Sequence, residues 1–546
     1  MRLLALLGFV FLTACGLNWT QWGQNAQHTG FSQAIGQAPT RILQDMVYDP
    51  FVPEEQADSG GDLLAHYPAA LVDGADVFML RKTGSWTACD SAGSGKPGPC
   101  GADAWNSQVW NQVRLHWENG ALVEKWSFAT AWKPVPNAGG LGGWEPVFHA
   151  VVVASYVYIP GPDGMVSKVN REDGSVAATL APSLGVANAY IAGPLTADLA
   201  GNVYYTVLAL AAANPWSTNS TGAWLVRIGR DNSVQTVPFA SLVPGAAAAT
   251  DGCFTTFGSA LLPWPPAPDA LPSQSACGAQ RPGINIAPAI APDGTIYLLS
   301  RAHLNSRYSY LVAVNPDLTP KWTASLRDRL NDGCGVITSG CRAGATVGVD
   351  PATNQRPAGR VVDYASSSPV IAPDGSILYG AYTQYNFERG HLFHFSANGE
   401  FLNSYDFGWD TTPAVYPHDG TYSVILKDNH YEVGSYCGDS TFCPVSEPGP
   451  YLLAQLSAAL KPEWSFRNTT GSVGFEWCVN APAVDANGTV YANSEDGNLY
   501  VIGQGGMLVN QLFLRSAIGA AYTPVSLGPD GKIYSQNDGH LLVVGQ

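Results

Sequence analysis

One short pattern returns along the whole chain: a proline, an apolar residue, a brief run, Asp-Gly or Asn-Gly, then Val or Ile and a tyrosine. Clean copies run Pro288–Tyr297, Pro482–Tyr491 and Pro524–Tyr534, and looser copies start at Pro68, Pro146, Pro194, Pro369 and Pro413. A strand–turn–strand unit that recurs this way marks a repeat architecture. The Asp-Gly and Asn-Gly pairs favour the tight hairpin turns that match strand twist. The stretch 284–326 continues the pattern as strand, hairpin, strand, connection, strand, turn, strand. Four antiparallel strands of this kind form one propeller blade. Pro369 to Pro413 is 44 residues and Pro482 to Pro524 is 42, which is a blade length. The expectation is an all-β, eight-bladed propeller.

The last unit supplies three strands and stops at Gln546. The stretch Arg41–Tyr48 precedes the first inner strand and is placed to supply the missing outer strand. Such a closure removes the edges that would otherwise template aggregation. Composition agrees: 46% of residues are hydrophobic, only 13% are charged, and there are 59 Gly and 39 Pro. That mixture suits a turn-rich β protein. The net charge of −16 excludes nucleic acid, which needs a basic footprint. It also argues against direct docking on an anionic membrane surface.

The first residues read as an address rather than as fold. Arg2 precedes the apolar run Leu3–Leu12, which is too short to span a bilayer stably. The following Leu12-Thr13-Ala14-Cys15 resembles a bacterial lipobox. That resemblance implies removal of 1–14, lipidation of Cys15 and, with Gly rather than Asp at position 16, residence at the outer membrane. The expected division is a signal peptide 1–14, a lipid-anchored segment 15–40 and one propeller domain 41–546. The remaining nine cysteines suit an oxidising compartment. Four local pairs suggest themselves: Cys89/Cys100, Cys253/Cys277, Cys334/Cys341 and Cys437/Cys443, with Cys478 left over as a buried thiol.

The run Trp19-x-x-Trp22-Gly followed by Gln27-His28-Thr29-Gly30-Phe31-Ser32 resembles the N-terminal signature of quinoprotein-like (PQQ-type) β-propeller proteins. Lys125-Trp126, Lys321-Trp322 and Glu463-Trp464 resemble its repeats, and these tryptophans are expected to pack blade against blade. The resemblance implies the fold over most of 19–546. In true quinoprotein dehydrogenases PQQ stacks on a disulfide between adjacent cysteines, with Ca²⁺ and a catalytic Asp beside it. No two cysteines are adjacent in this chain, so PQQ is not expected. There is also no G-x-S-x-G, and the ten histidines show no H-E-x-x-H spacing.

Eight blades of this length leave well over a hundred residues as insertions. All four cysteine pairs fall in the two connection types that emerge on one face of an up-and-down blade. The tight turns lie on the other face. Local disulfides stiffen loops that lack a core, and a stiffened loop loses less entropy on binding. Trp86, Trp105, Trp110, Trp132, Trp144, Trp216 and Trp264 belong to these inserts, and most are expected to be hidden by the loops. The residues just before the inner strands, including His66, Glu145, Asn285, Asp410 and Asn480, are expected to ring the channel mouth on the same face. They are a candidate ligand site, Ca²⁺ included as a weak option. Glu54–Asp58 reads as an acidic loop. The function expected is a lipid-anchored scaffold for an envelope protein or glycan, as a monomer or within a hetero-complex. The alternative is a propeller dehydrogenase using the channel mouth.

Overall fold

The computed structural model describes residues 17–59, 68–87, 105–136, 145–257, 266–330, 346–350, 353–363, 367–383, 389–408, 411–429, 450–472, 474–477, 481–516 and 524–546. The expectation of an all-β, eight-bladed propeller is met: eight antiparallel sheets follow one another in chain order. Blade 1, for example, is Leu71–Asp73, Asp76–Gly84, Gln108–Glu118 and Ala121–Ala129. The innermost strands are short, two or three residues in most blades and five in blade 6, Ala414–His418. In blades 3, 4 and 5 the innermost strand is split into two pieces that both pair with the second strand.

Closure occurs as the sequence indicates. Arg41–Val47 pairs antiparallel with His540–Gly545 and completes blade 8. The predicted blade-docking tryptophans also behave alike. Each lies on an outer strand and reaches the tight turn of the next blade. The Trp126 indole donates to the Arg171 carbonyl at 2.8 Å and that of Trp322 to Ala397 at 2.9 Å. Gly174 and Gly399 sit in these turns with φ of +72° and +83°. A Cβ at either would lie under 3 Å from the tryptophan ring, so glycine serves both the turn and the ring above it.

The acidic stretch Glu54–Asp58 is a correction. It lies in the helix Val52–Ser59, not in a loop. Phe51 and Val52 anchor the helix in the core and Glu55 is buried. Two carboxylates in the first turn suit the positive end of the helix. Among the described residues, no helix is long and apolar enough to cross a membrane.

The most consequential element has no regular secondary structure. The segment from Asn18 to Gln37 enters at the tight-turn face, where the Asn18 side chain exchanges hydrogen bonds with Asp73 and Gly74. It leaves by the same face, where the Gln37 amide donates to the Gly531 carbonyl at 2.7 Å. Between those points it runs inside the axial channel. Inner-strand amides of Val72, Val152, Ile290, Ile371, Val415 and Val484 donate to the carbonyls of Trp19, Thr20, Ala26, Gln27, Thr29 and Gly30, at 2.7 to 2.9 Å. The Ala197 amide donates to Gln21 Oε1 at 2.7 Å. Seven blades thus have an inward-facing donor satisfied by this one segment, and an orphaned buried N–H is costly. The signature Trp19…Ser32 is therefore an axial plug, continuous with the propeller body. Trp19, Trp22, His28 and Ser32 are buried within it.

His28 stands at the centre of the plug. Its Nδ1–H donates to the Pro369 carbonyl at 2.9 Å, and its Nε2 lies 3.4 Å from Thr196 Oγ1. Burial pulls its pKa from 6.5 down to about 4, and His149 falls equally for the same reason. The unfolded chain therefore binds protons first on acidification. Stability from these groups is complete above pH 6.5 and is lost as pH falls toward about 4. The slope is about 1.4 kcal/mol per pH unit for each histidine. Replacing His28 with Gln should remove one proton's worth of that slope in denaturant titrations between pH 6.5 and 4.5. An unchanged slope would show that His28 is not held neutral. Gly30 has φ of +63°, and a Cβ there would lie 2.6 Å from the Pro482 carbonyl. Gly30→Val should destabilise the fold by about 1–3 kcal/mol, measured by chemical denaturation.

Candidate functional site

The plug leaves the opposite end of the channel, the elaborated face, as the place to look for chemistry. Of the five residues expected at its mouth, His66, Asp410 and Asn480 lie outside the described residues. Glu145 and Asn285 are described, and both are buried. Their side chains do not meet; they belong to two separate polar clusters.

Glu145 sits beneath the loops of blades 1 and 2. Its Oε1 accepts from the Trp110 indole at 2.7 Å, and its Oε2 pairs with Lys82. Lys82 also pairs with Asp49 at 2.7 Å. Burial works against the Lys82 charge, but Asp49, Glu145 and Glu55 outweigh it and hold the ammonium above its ordinary range. With more carboxylates than cations nearby, burial pushes the Glu145 carboxyl up against the pull of Lys82. Lys133 lies over the Trp110 ring, 5.1 Å from its centre, and donates to the carbonyls of Trp105, Asn106 and Gln108. This cluster stitches the closing segment, blade 1 and the loop to blade 2 together. Above it opens a cleft of about 210 Å³ lined by Trp105, Lys133, Asp163, Asn188 and Tyr190, among others.

Asn285 has φ of +66° and spends its side chain on the scaffold. Its Oδ1 accepts from the Val147 amide at 2.8 Å, and its Nδ2 reaches the Asp363 carbonyl at 3.4 Å. Asp363 is held by a fork from Arg281, at 2.9 and 2.6 Å, and by Arg301 at 2.8 Å. Burial opposes its charge, but the two guanidinium groups outweigh that and bring it to about 2. Arg281 Nε donates to His303 Nδ1 at 2.9 Å, and Trp216 stacks on the His303 ring at 5.7 Å. Burial, then the Arg281 charge, lowers His303 to about 4.

The sequence did not single out Lys82, Asp49, Arg281, Arg301 or Asp363. The one available signal was position: Lys82 and Arg301 close the second strands of their blades, which end on the elaborated face. The expected disulfide Cys253–Cys277 is present and clasps the hairpin Gly252–Phe254/Gln274–Ala276. Cys15, Cys89, Cys100, Cys334, Cys341, Cys437, Cys443 and Cys478 lie outside the described residues. Trp105, Trp110 and Trp132 are buried, as expected, in a nest with Phe148.

Among the described residues, no group of three His, Cys, Asp or Glu is arranged to hold a metal. Nor do the described residues supply a fit for PQQ with Ca²⁺. The sequence has no vicinal cysteine pair for the ring to stack on. Among the described residues, Asn285 and Asp363 near the axial mouth are already bonded within the protein.

Lys82→Met should leave Asp49 and Glu145 as buried carboxylates without their cation. The loss should be about 3–5 kcal/mol at neutral pH, read by thermal and chemical unfolding. Adding Glu145→Gln to Lys82→Met should restore part of it, because one of the stranded charges is then gone.

No protein-family profile and no curated protein sequence matches this chain. Solved structures do match. A europium-containing methanol dehydrogenase aligns with TM-score 0.54 and 12% identity over 97% of this chain and 90% of its own. The quinohemoprotein alcohol dehydrogenase from Comamonas testosteroni aligns with TM-score 0.55 and 12% identity over 100% of this chain and 83% of its own. BamB from Moraxella catarrhalis aligns at TM-score 0.38 and 10% identity, over 80% of this chain and 91% of its own, too distant to bear on this chain. At these identities the likeness is one of architecture: the chain is similar to the quinoprotein-type eight-bladed β-propellers in fold.

Proposed function

We propose that the chain is a non-catalytic binding propeller of the bacterial cell envelope, held by a lipid on Cys15 and engaging a protein or glycan partner through its elaborated face. The observation that carries this reading is the axial plug. A segment bonded to inner strands of seven blades occupies the axis and leaves binding to the loops around its mouth. The off-axis cleft lined by Trp105, Lys133, Asp163 and Tyr190 and the disulfide-clasped hairpin supply relief on that face.

The route of the plug supports an orientation for such an anchored molecule. Asn18 is fixed at the tight-turn face, and three residues span at most about 10 Å. An anchor at Cys15 therefore tethers the tight-turn face and presents the elaborated face away from the bilayer. The dehydrogenase reading draws on the names of the structural neighbours, but fold alone does not assign activity.

The test is in vivo crosslinking followed by affinity capture of the full chain. A partner should be recovered with the wild type and lost when residues 255–273 are replaced by a short Gly-Ser linker. Cys15→Ala should shift the protein from the membrane to the soluble fraction. Dye reduction dependent on PQQ and Ca²⁺, across a panel of alcohols and sugars, would overturn the reading in favour of the enzyme.

A further inference from the structure

For a chain of net charge −16, one region of the elaborated face has the opposite sign. Arg281, Arg301, Arg307, Arg327 and Arg360 converge where blades 4 and 5 meet. They come from different strands and loops. Arg281 and Arg301 are cross-strand partners in blade 4. Arg307 lies in the loop that follows them. Arg327 lies two residues past the outer strand Pro320–Ser325 of blade 4 and bridges Ala358, while the Gly359 amide donates to the Leu326 carbonyl at 2.8 Å. That pairing sets Arg360 beside it. Arg360 Nε donates to Ser306 Oγ at 2.9 Å, next to Arg307.

Two carboxylates are ion-paired within this arc. Asp363 takes Arg281 and Arg301, and Asp350 lies 3.8 Å from Arg307. Among the described residues, these two carboxylates are the ones seen ion-paired to the five guanidinium groups. Aromatic faces lie under three of them: Arg281 over Trp216 at 5.4 Å, Arg327 over Tyr308 at 4.2 Å and Arg360 over Tyr382 at 5.4 Å. Stacking fixes the plane of a guanidinium and leaves its in-plane donors to bind something else. Arg301, Arg327 and Arg360 are partly exposed, while Arg281 and Arg307 are buried behind them. Burial first, then the neighbouring Arg360 charge, pulls Arg307 down to about 10.

The Cys253–Cys277 hairpin forms one wall. Arg307 Nη2 donates to Thr256 Oγ1 at 2.9 Å, the Phe254 amide donates to Tyr308 Oη at 3.1 Å, and Asn305 Nδ2 donates to the Phe254 carbonyl at 2.7 Å. The disulfide thus holds the loop that carries Thr256 against the arginines. Like charges gathered at this cost are stabilised by an incoming anion, and the guanidinium fork matches carboxylate and phosphate oxygens alike.

We infer that the arginine arc of blades 4 and 5 is a binding site for a ligand bearing two or more oxyanion groups, carboxylate or phosphate. The inference deepens the binding reading of the elaborated face and rests on it. It is nevertheless read by direct titration, without a cellular partner, so that each can fail separately.

The experiment is calorimetric titration of the purified full chain with tripolyphosphate, with citrate and with acetate, at two salt concentrations. Saturable binding of tripolyphosphate or citrate is expected, weakening at higher salt, with acetate at least tenfold weaker than either. The better of the two polyanions identifies the source as phosphate or carboxylate. Arg327→Gln and Arg360→Gln should each weaken binding about tenfold with unchanged thermal unfolding. Arg230→Gln, at an exposed turn on the other face, should leave it unchanged. No saturable binding of either polyanion, or equal loss in all three variants, would overturn the proposal.

Discussion

The structure depends on how the propeller satisfies the inner edges of its blades. Closing the ring with Arg41–Val47 completes the last sheet, but every blade still presents the inner edge of its first strand to the axis. A water-filled channel would satisfy those amides one by one. Here a single stretch of chain satisfies them together, its carbonyls meeting the amides of Val72, Val152, Ile290, Ile371, Val415 and Val484. The repeated proline belongs to the same economy. It starts the inner strand and brings no N–H of its own to the crowded mouth. The residue before it is free to bond sideways: the Ser368 amide donates to Thr412 Oγ1 at 2.8 Å, and the Ala287 amide to Ser368 Oγ at 3.0 Å. The plug thus links the ring from inside, and the residues before the prolines link it near the mouth.

That arrangement divides the molecule into two unlike ends. The tight-turn face is made of local turns, with carboxylates such as Asp173, Asp231 and Asp317 accepting from the hydroxyl and amide two residues on. It also holds both ends of the plug. The elaborated face gathers the longer loops, the disulfide hairpin, the Lys82 cluster and the arginine arc. The proposed lipid tether on the first face and the proposed recognition on the second would use that polarity.

Much of this was legible in the chain. The proline-started units, the short last blade and the Trp-to-turn docking follow from local rules that the fold merely repeats. Cys253 and Cys277 paired because a single insert holds both. The plug was harder to see. Trp19 to Ser32 carries no strand or helix period, and its role lies in carbonyls that any residue has. Glu54–Asp58 read as a loop because its charges hid the Phe51 and Val52 anchor of a short helix. Arg281, Arg301, Arg307, Arg327 and Arg360 are unremarkable where they stand in sequence. Only the meeting of two blades and one bridged outer strand makes them neighbours. Asn285, expected to offer its side chain to a ligand, instead spends it joining blades 2, 4 and 5.

Amide hydrogen exchange on the inner strands tests the sealed axis most directly. The account predicts that the amides of Val72, Val152, Ile290, Ile371, Val415 and Val484 exchange as slowly as the central strands of their blades, because each is bonded to the plug and shut from water. Rapid exchange at these six positions, with the second strands still protected, would mean an open channel and would contradict it.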